Sequence, residues 1–225
     1  VETTTGPLGQ GFATSVGMAL AEKMLNARFK NDLVNHFTYT IVGDGCLQEG
    51  ISHEAIEFAG HLKLSKLIVF WDDNKISIDG KTNLSTSTNQ LSRFKSSGWH
   101  TQKIDGHNFE AISDAIYKAK ISKKPSLIAC KTVIGFGSPT LAGTEKTHGA
   151  PLGKDEVAKV KKNLNWNFKP FEVPNEILEA WRNIQNKGGQ KRNEWLQRLE
   201  SHPKKDKFNN YLYNVLNQKF DKKFK

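Results

Sequence analysis

Long apolar runs are absent from this 225-residue sequence, and it has only two cysteines, two methionines and seven prolines. Without a run of about 18 apolar residues, no transmembrane helix is predicted. The chain opens on Val1, Glu2 and Thr3, which lack the basic-then-apolar pattern of a secretory leader. Cys46 and Cys130 cannot make a disulfide framework and suit a reducing compartment. We therefore expect a cytoplasmic protein and, because an initiator Met is missing, a fragment of a longer chain.

Positive charge is unevenly distributed along the chain. Residues 1–150 carry 16 basic and 14 acidic side chains, whereas residues 151–225 carry 17 and 9. A basic tail can bind nucleic acid, but a solvated helical surface is the commoner origin of such a charge run. The sequence has no zinc-ligand spacing, RNP-like strand or arginine-rich block. We predict neither a nucleic-acid nor a membrane partner, and we expect residues 1–150 to recognise a small molecule.

Apolar runs alternate with helical patterns in the first two-thirds of the sequence. The runs at 37–42, 66–71 and 126–134 predict buried parallel strands. Helices are predicted from Gly11 to about Phe29, over 49–62 and after Asn108, which can cap the third. This alternation predicts an α/β fold, a doubly wound parallel sheet flanked by helices.

The composition shifts after Gly153, where polar helical segments are predicted at 155–164, 174–187 and 190–200. We therefore divide the chain into an α/β domain at 1–153 and a helical C-terminal extension or linker at 154–225.

Polar residues follow the first two predicted strands: Gly43-Asp44-Gly45 after one and Asp72-Asp73-Asn74 after the next. Ligands of doubly wound sheets bind outside the carboxyl ends of the strands. Glycines let backbone N–H groups approach a phosphate, and a carboxylate beside a diphosphate needs an intervening cation. A sparse set of oxygen ligands suits Mg²⁺. Either tripeptide alone is more often a simple turn, but their joint occurrence at two strand ends favours a metal-bridged diphosphate.

The sequence around these residues resembles the transketolases, a family of thiamine diphosphate enzymes. The resemblance covers nearly all of residues 1–153, in order, and is carried by TTTGPLGQG at 3–11, GDGC at 43–46, QEGISHEA at 48–55, DDNKISIDG at 72–80, IGFGSP at 134–139 and THGAPLG at 147–153. It is much more specific than the two short tripeptides.

The resemblance implies a particular set of site residues. The metal ligands would be Asp44, Asn74 and the backbone carbonyl of Ile76, with Mg²⁺ as the cation and Ca²⁺ or another divalent cation as a substitute. Thiamine diphosphate would be bound by Gly6, Pro7, Leu8, Gly45, Asn74, Ile134 and His148. Within this set, Leu8 would support the thiazolium ring and the Gly45 amide would contact the diphosphate. His148 would stand between the diphosphate and the substrate as a catalytic residue.

The resemblance also implies an activity, the transfer of a two-carbon ketol unit from a ketose phosphate to an aldose phosphate. The partner would be a second transketolase chain in a homodimer, with Glu49 and Glu54 at its interface. Family members carry an upstream segment and a pyrimidine-binding domain that this sequence lacks, so we expect the chain alone to be inactive. Three alternatives stay open: the N-terminal subunit of a split transketolase, a dihydroxyacetone synthase and a non-catalytic binding module.

Overall fold

The computed structural model describes residues 2–30 and 32–213, and the chain forms two compact units. The first unit comprises residues 1–23 and 36–167, and the second comprises residues 24–35 and 168–225. Within the described ranges, none of the helices combines the length and the apolar composition that a membrane span requires.

A four-stranded parallel sheet organises the first unit. Its strands are β1 (Thr38–Gly43), β2 (Leu67–Asp73), β5 (His100–Asp105) and β6 (Ser126–Lys131), in the spatial order β1-β2-β6-β5. A short antiparallel hairpin pairs β3 (Ile76–Ser77) with β4 (Gly80–Lys81).

Helices flank the sheet: α1 (Gln10–Phe29), α2 (Asp44–Gln48), α3 (Gly50–His61), α4 (Gln90–Ser96), α5 (Phe109–Ile121) and α6 (Lys154–Asn163). Residues 24–29 of α1 belong to the second unit. Helix α5 begins at the predicted cap, where the Asn108 side chain accepts a hydrogen bond from the Ala111 amide at 3.0 Å. The parallel sheet and its helices confirm the predicted α/β fold.

Apolar side chains project from both faces of the central strands and pack against the helices there. On β2, Val69 joins a cluster that includes Phe12 of α1, whereas its neighbour Ile68 joins a cluster that includes Ala115 of α5. Because successive strand residues point to opposite faces, a continuous apolar run is what a sheet covered on both sides requires. The burial of β2 and β6 follows this rule.

Strand β1 differs from its prediction as a fully buried strand, because it lies at the edge of the described sheet. Tyr39 is 50% exposed and Ile41 is 80% exposed. At the opposite edge, β5 was not predicted at all, because its sequence is polar and has no apolar run. Helix α4 and the β3–β4 hairpin are also absent from the prediction.

The second unit contains α7 (Asn175–Glu200) and α8 (Lys205–Leu212). Phe208 packs with Phe29, Leu33 and Val34 in its apolar cluster. The prediction of separate helices at 174–187 and 190–200 is wrong, because α7 continues through Gly188 and Gly189. A glycine inside a helix costs only about 1 kcal/mol, so a glycine pair need not end one.

The predicted boundary after residue 153 does not coincide with the division into units. Helix α6 lies beyond that boundary yet belongs to the first unit. Its Asn163 side chain donates to the Gly137 carbonyl at 2.9 Å, which ties α6 to the preceding loop. The functional division at 153 stays a prediction, and its last residues, 214–225, lie outside the described part of the chain.

Candidate functional site

The carboxyl ends of β1 and β2 bring the first group of predicted site residues together. The two strands are parallel, and their register sets Gly43 beside Asp72. Asp44 follows Gly43 as the first residue of α2, and Asn74 follows the end of β2. Helix α2 also contacts the β3–β4 hairpin, which begins at Ile76.

Asp44 is a carboxylate whose surroundings favour a cation. Its Oδ2 atom is buried and has no hydrogen-bond partner among the described residues. Burial raises the pKa of the Asp44 carboxyl to about 6, and the Asp73 carboxylate adds to the rise, while the Lys75 charge opposes it. A carboxylate in such surroundings is destabilised when ionised unless a positive charge approaches it.

Asn74 is held at both ends of its side-chain amide. Its Nδ2 donates to Asp72 Oδ2 at 3.0 Å, and its Oδ1 accepts from the Ile76 amide at 2.9 Å. Lys75 lies between them in the left-handed conformation, at φ 65°, which is uncommon for a residue with a side chain. The turn thereby folds Ile76 back onto Asn74 and leaves the second lone pair of Oδ1 for a further partner.

The backbone carbonyl of Ile76 points away from its partner strand. The Thr82 amide donates to the Lys75 carbonyl at 3.0 Å, so residues 75 and 82 form a hydrogen-bonded pair of the hairpin. The next pair in register, Ile76 with Lys81, is then a non-hydrogen-bonded pair. The predicted carbonyl ligand is therefore not used by the β3–β4 ladder.

Lys75 also shapes the charge of this loop. Its ammonium lies 2.5 Å from Asp73 Oδ1 and 4.8 Å from the centre of the Trp71 ring. The Asp73 side chain is buried, whereas that of Lys75 is 63% exposed. Asp73 is thus paired with Lys75, whereas Oδ2 of Asp44 has no hydrogen-bond partner among the described residues.

The segment before α1 approaches the same place. A Cβ built on Gly45 would stand 3.0 Å from Leu8 Cδ1, so these two predicted cofactor residues are adjacent. Gly9, at φ 81°, packs where a side chain would collide with Glu49 and Ile51. Gly6, Pro7 and Leu8 are exposed, with Leu8 at 49%. The exposed Gly6 and the partly exposed Gly45 therefore leave backbone accessible to a ligand, whereas Gly9 is buried.

Ile134 and His148 lie in a different segment, the loop between β6 and α6. The Ile134 carbonyl accepts from the Gly143 amide at 2.8 Å, and a Cβ on Gly135 would stand 2.8 Å from Thr147 Cγ2. The loop thus folds back on itself and sets Gly135, which follows Ile134, against Thr147, which precedes the exposed His148. No described contact joins His148 to Asp44, Asn74 or Leu8.

Three anchors hold this loop, and none was predicted from the sequence. Thr132 donates from its hydroxyl to Asp72 Oδ1. His107 accepts from the Val133 amide at 3.1 Å, and its ring stacks on Phe136 with centres 4.1 Å apart. The third anchor, Glu156 of α6, accepts hydrogen bonds from the hydroxyl of Ser138 and from the amide of Thr140 at 3.0 Å.

A cavity of about 390 Å³ lies at the same edge of the sheet, beyond Thr132. Among the described residues, its lining includes Lys103, Asp105, His107 and Lys131 at the ends of β5 and β6. The predicted cofactor and metal residues do not line it. It is therefore distinct from the group formed by Asp44, Asn74 and Ile76.

The residues present fit a divalent cation with an anionic ligand. Asp44 offers a buried oxygen without a partner, Asn74 an amide oxygen with a spare lone pair, and Ile76 a carbonyl outside the ladder. The described residues contain no cluster of three His, Cys, Asp or Glu side chains placed to hold a metal. Fold and site define a doubly wound α/β domain with a sparse oxygen-donor site at its strand ends.

Comparison with known proteins identifies the family. The model of the transketolase, thiamine diphosphate-binding domain family matches residues 1–220. The transketolase of Sinorhizobium medicae is 55% identical over 208 residues, covering 92% of this chain and 30% of that protein. Transketolase 1 of Escherichia coli is 49% identical over 209 residues, covering 91% of this chain and 31% of that protein.

Solved structures agree with the sequence relatives. The transketolase of Campylobacter jejuni superposes with a TM-score of 0.90 at 39% identity, covering 93% of this chain and 33% of that one. Pichia stipitis transketolase, in its complex with sedoheptulose-7-phosphate, superposes with a TM-score of 0.85 at 41% identity, covering 91% of this chain and 31% of that one. The chain belongs to the transketolase thiamine diphosphate-binding domain family. It spans about 30% of the length of the curated relatives it matches.

Proposed function

We propose that this chain supplies the diphosphate- and cation-binding half of a transketolase site. The activity would be the transfer of a two-carbon ketol unit from a ketose phosphate to an aldose phosphate, dependent on thiamine diphosphate and Mg²⁺. The observation that carries the proposal is the buried Oδ2 of Asp44, which has no hydrogen-bond partner among the described residues and follows a strand end set beside Asp72. Membership of the family supplies the identity of the cofactor.

In this proposal the cation is held by three oxygens of the chain, from Asp44, Asn74 and the carbonyl of Ile76. Mg²⁺ prefers six oxygen ligands and takes the remainder from phosphate and water. Ca²⁺ or another divalent cation would substitute. The Gly45 amide, at the start of α2, would donate to the diphosphate, because nothing but Leu8 crowds that glycine.

Thiamine diphosphate, when bound, supplies a thiazolium carbon that can be deprotonated and can accept the two-carbon unit. The chain's residues would orient it and keep water away. Gly6 and Pro7 would offer close backbone contact, and the half-exposed Leu8 and partly buried Ile134 would give apolar support. His148, exposed at the end of a 3-10 turn, would donate a hydrogen bond to the substrate or to its developing oxyanion.

The proposed substrates rest on relatives, and the proposed partner rests on the family resemblance of the sequence. Pichia stipitis transketolase has been solved in complex with sedoheptulose-7-phosphate, and its mutants in complex with fructose-6-phosphate and xylulose-5-phosphate, so we propose sugar phosphates here. We also propose a homodimer, with the exposed Glu49 and Glu54 at its interface. The compartment would be the cytoplasm, with no nucleic-acid or membrane partner.

A transfer assay tests the proposal. The complete protein that contains this chain should move a two-carbon unit from a ketose phosphate to an aldose phosphate only when thiamine diphosphate and Mg²⁺ are both present. His148→Ala should lower kcat/KM by about 10²–10³-fold, as expected when a donor to a developing charge is removed. The 225-residue chain alone should show no turnover. Transfer that persists in the complete protein without the cofactor would contradict the proposal.

A further inference from the structure

Asp72 holds together two segments that the sequence separates by about 60 residues. One of its oxygens, Oδ1, accepts from the Thr132 hydroxyl, and the other, Oδ2, accepts from Asn74 Nδ2 at 3.0 Å. The parallel register of β2 and β6 pairs Asp73 with Lys131, so Thr132 is the first residue past β6 and stands level with Asn74. The contact is a consequence of the sheet and does not depend on a flexible loop.

The hydrogen bond from Asn74 to Asp72 decides which way the amide faces. The oxygen and nitrogen ends of a primary amide have nearly the same shape, but only the oxygen can bind a cation. An ionised carboxylate can only accept, so Asp72 selects the nitrogen end of Asn74 and turns the oxygen end away from itself. The Ile76 amide, donating to Asn74 Oδ1 at 2.9 Å, is consistent with that orientation.

Asp72 is not placed to be a ligand in its own right. Both of its oxygens already accept a hydrogen bond from within the chain. Asp44, by contrast, keeps a buried oxygen without a partner among the described residues. Two carboxylates at neighbouring strand ends thus have different roles, one open to a cation and one engaged in orienting its neighbour.

We propose that Asp72, fixed by Thr132, is a positioning residue that orients the Asn74 amide oxygen toward the divalent cation and so sets the cation affinity of the site. This inference rests on the proposed function, because it takes Asp44 and Asn74 to bind the cation. Partners that orient metal ligands typically contribute about 10–100-fold in metal affinity.

Four variants of the full chain separate orientation from charge. Asp72→Ala removes both the charge and the acceptor. Asp72→Asn removes the charge but keeps an acceptor oxygen for Asn74, while its own NH₂ group can donate to the Thr132 oxygen. Thr132→Val keeps the charge and removes the anchor of Asp72. Asp79→Ala removes an exposed carboxylate from the β3–β4 turn and is the matched control.

The measurement is binding of Mn²⁺, a paramagnetic substitute for Mg²⁺, followed by electron paramagnetic resonance in the presence of thiamine diphosphate. Circular dichroism at the same temperature reports folding. We expect Asp72→Ala to bind Mn²⁺ about 10–100-fold more weakly than wild type. The Mn²⁺ affinity should fall about threefold or less in Asp72→Asn and by an intermediate factor in Thr132→Val. It should not change in Asp79→Ala.

Equal losses for Asp72→Ala and Asp72→Asn would overturn the inference, because charge alone would then explain them. Wild-type affinity in Asp72→Ala would overturn it as well. If Asp72→Ala does not fold, the Mn²⁺ affinities of the other two variants decide. A weaker affinity in Thr132→Val than in Asp72→Asn supports the inference, and a stronger one contradicts it. A wild-type chain that binds no Mn²⁺ would overturn the proposed function together with the inference. A wild-type chain that binds Mn²⁺, with variants that do not follow the expected order, would overturn the inference alone.

Discussion

Two carboxylates of the first unit, Asp44 and Glu156, are held in opposite ways. Glu156 accepts from Ser138 and Thr140 and lies 3.4 Å from the Lys159 ammonium, and the hydrogen bonds from Ser138 and Thr140 lower the pKa of its carboxyl to about 2. Asp44 has a buried oxygen without such donors, and the pKa of its carboxyl is raised to about 6. The Glu156 carboxylate fastens a loop, whereas Asp44, with its unpartnered buried oxygen, is where we propose that a cation binds.

The largest effect should follow from Asp44→Asn. Removing the charged ligand should weaken Mg²⁺ binding by about 100-fold or more, because an amide oxygen replaces a carboxylate in a site with few protein ligands. The same change should stabilise the metal-free chain by about 1–2 kcal/mol, because it removes a destabilising charge that solvent only partly screens. Titration calorimetry and urea unfolding at pH 7.5 in EDTA measure the two effects. A metal-free variant less stable than wild type would contradict this description of Asp44.

Protons should compete with the cation for Asp44. Because the pKa of the Asp44 carboxyl is raised to about 6, binding of Mg²⁺ below that pH must displace a proton. We expect the apparent Mg²⁺ affinity to fall about tenfold per pH unit below pH 6 and to level off above pH 7. Calorimetry between pH 5 and pH 8 measures this, and a flat profile through pH 6 would show that Asp44 is not the group involved.

Glu156→Gln tests how much the hydrogen-bonded Glu156 carboxylate contributes to stability. A lowered pKa means that the folded state favours the ionised form, so its contribution to stability is present above the ordinary pKa of about 4.5 and is lost as pH falls toward 2. The variant should unfold several degrees lower than wild type at pH 7, and the difference should shrink between pH 4.5 and pH 2. Thermal unfolding followed by circular dichroism measures it, with Glu57→Gln on the exposed face of α3 as control.

Ser138→Ala should have the smallest effect of the four. It removes one of the donors to Glu156 and also the oxygen that accepts from the Leu141 amide at 3.0 Å. The Thr140 amide and Lys159 remain, so the midpoint of unfolding should fall less than in Glu156→Gln. Mg²⁺ affinity should not change in either variant. A Ser138→Ala midpoint below that of Glu156→Gln would show that the hydroxyl, and not the carboxylate, fastens the loop.

The sequence predicted the parts of the fold that depend on local pattern. Central strands such as β2 are continuous apolar runs because both of their faces are covered, and Asn108 caps α5 because its side chain reaches the first turn. The edge strands were less predictable: β1 looked buried, and the polar β5 was missed. Whether a strand lies at the centre or the edge depends on its neighbours, which its own residues do not encode.

The candidate site, like the fold, was predictable where it depends on local sequence pattern and was missed where it depends on neighbouring segments. Asp44 and Asn74 could be paired because parallel strands end at one edge, whereas the carbonyl of Ile76 came from family resemblance. The partners Thr132 and Glu156 were missed, since their contacts depend on strand register and on an irregular loop. The glycine pair at 188–189 shows a related limit, because it interrupts the sequence pattern without interrupting α7.

The most direct test of the central claim is a calorimetric titration of the chain with thiamine diphosphate, once with excess Mg²⁺ and once with EDTA. If a cation joins Asp44 and Asn74 to the diphosphate, binding should be measurable with Mg²⁺ and should weaken by about 100-fold or disappear with EDTA. Equal affinity under both conditions would contradict the claim, because the diphosphate would then be held without the cation that these two residues are placed to bind.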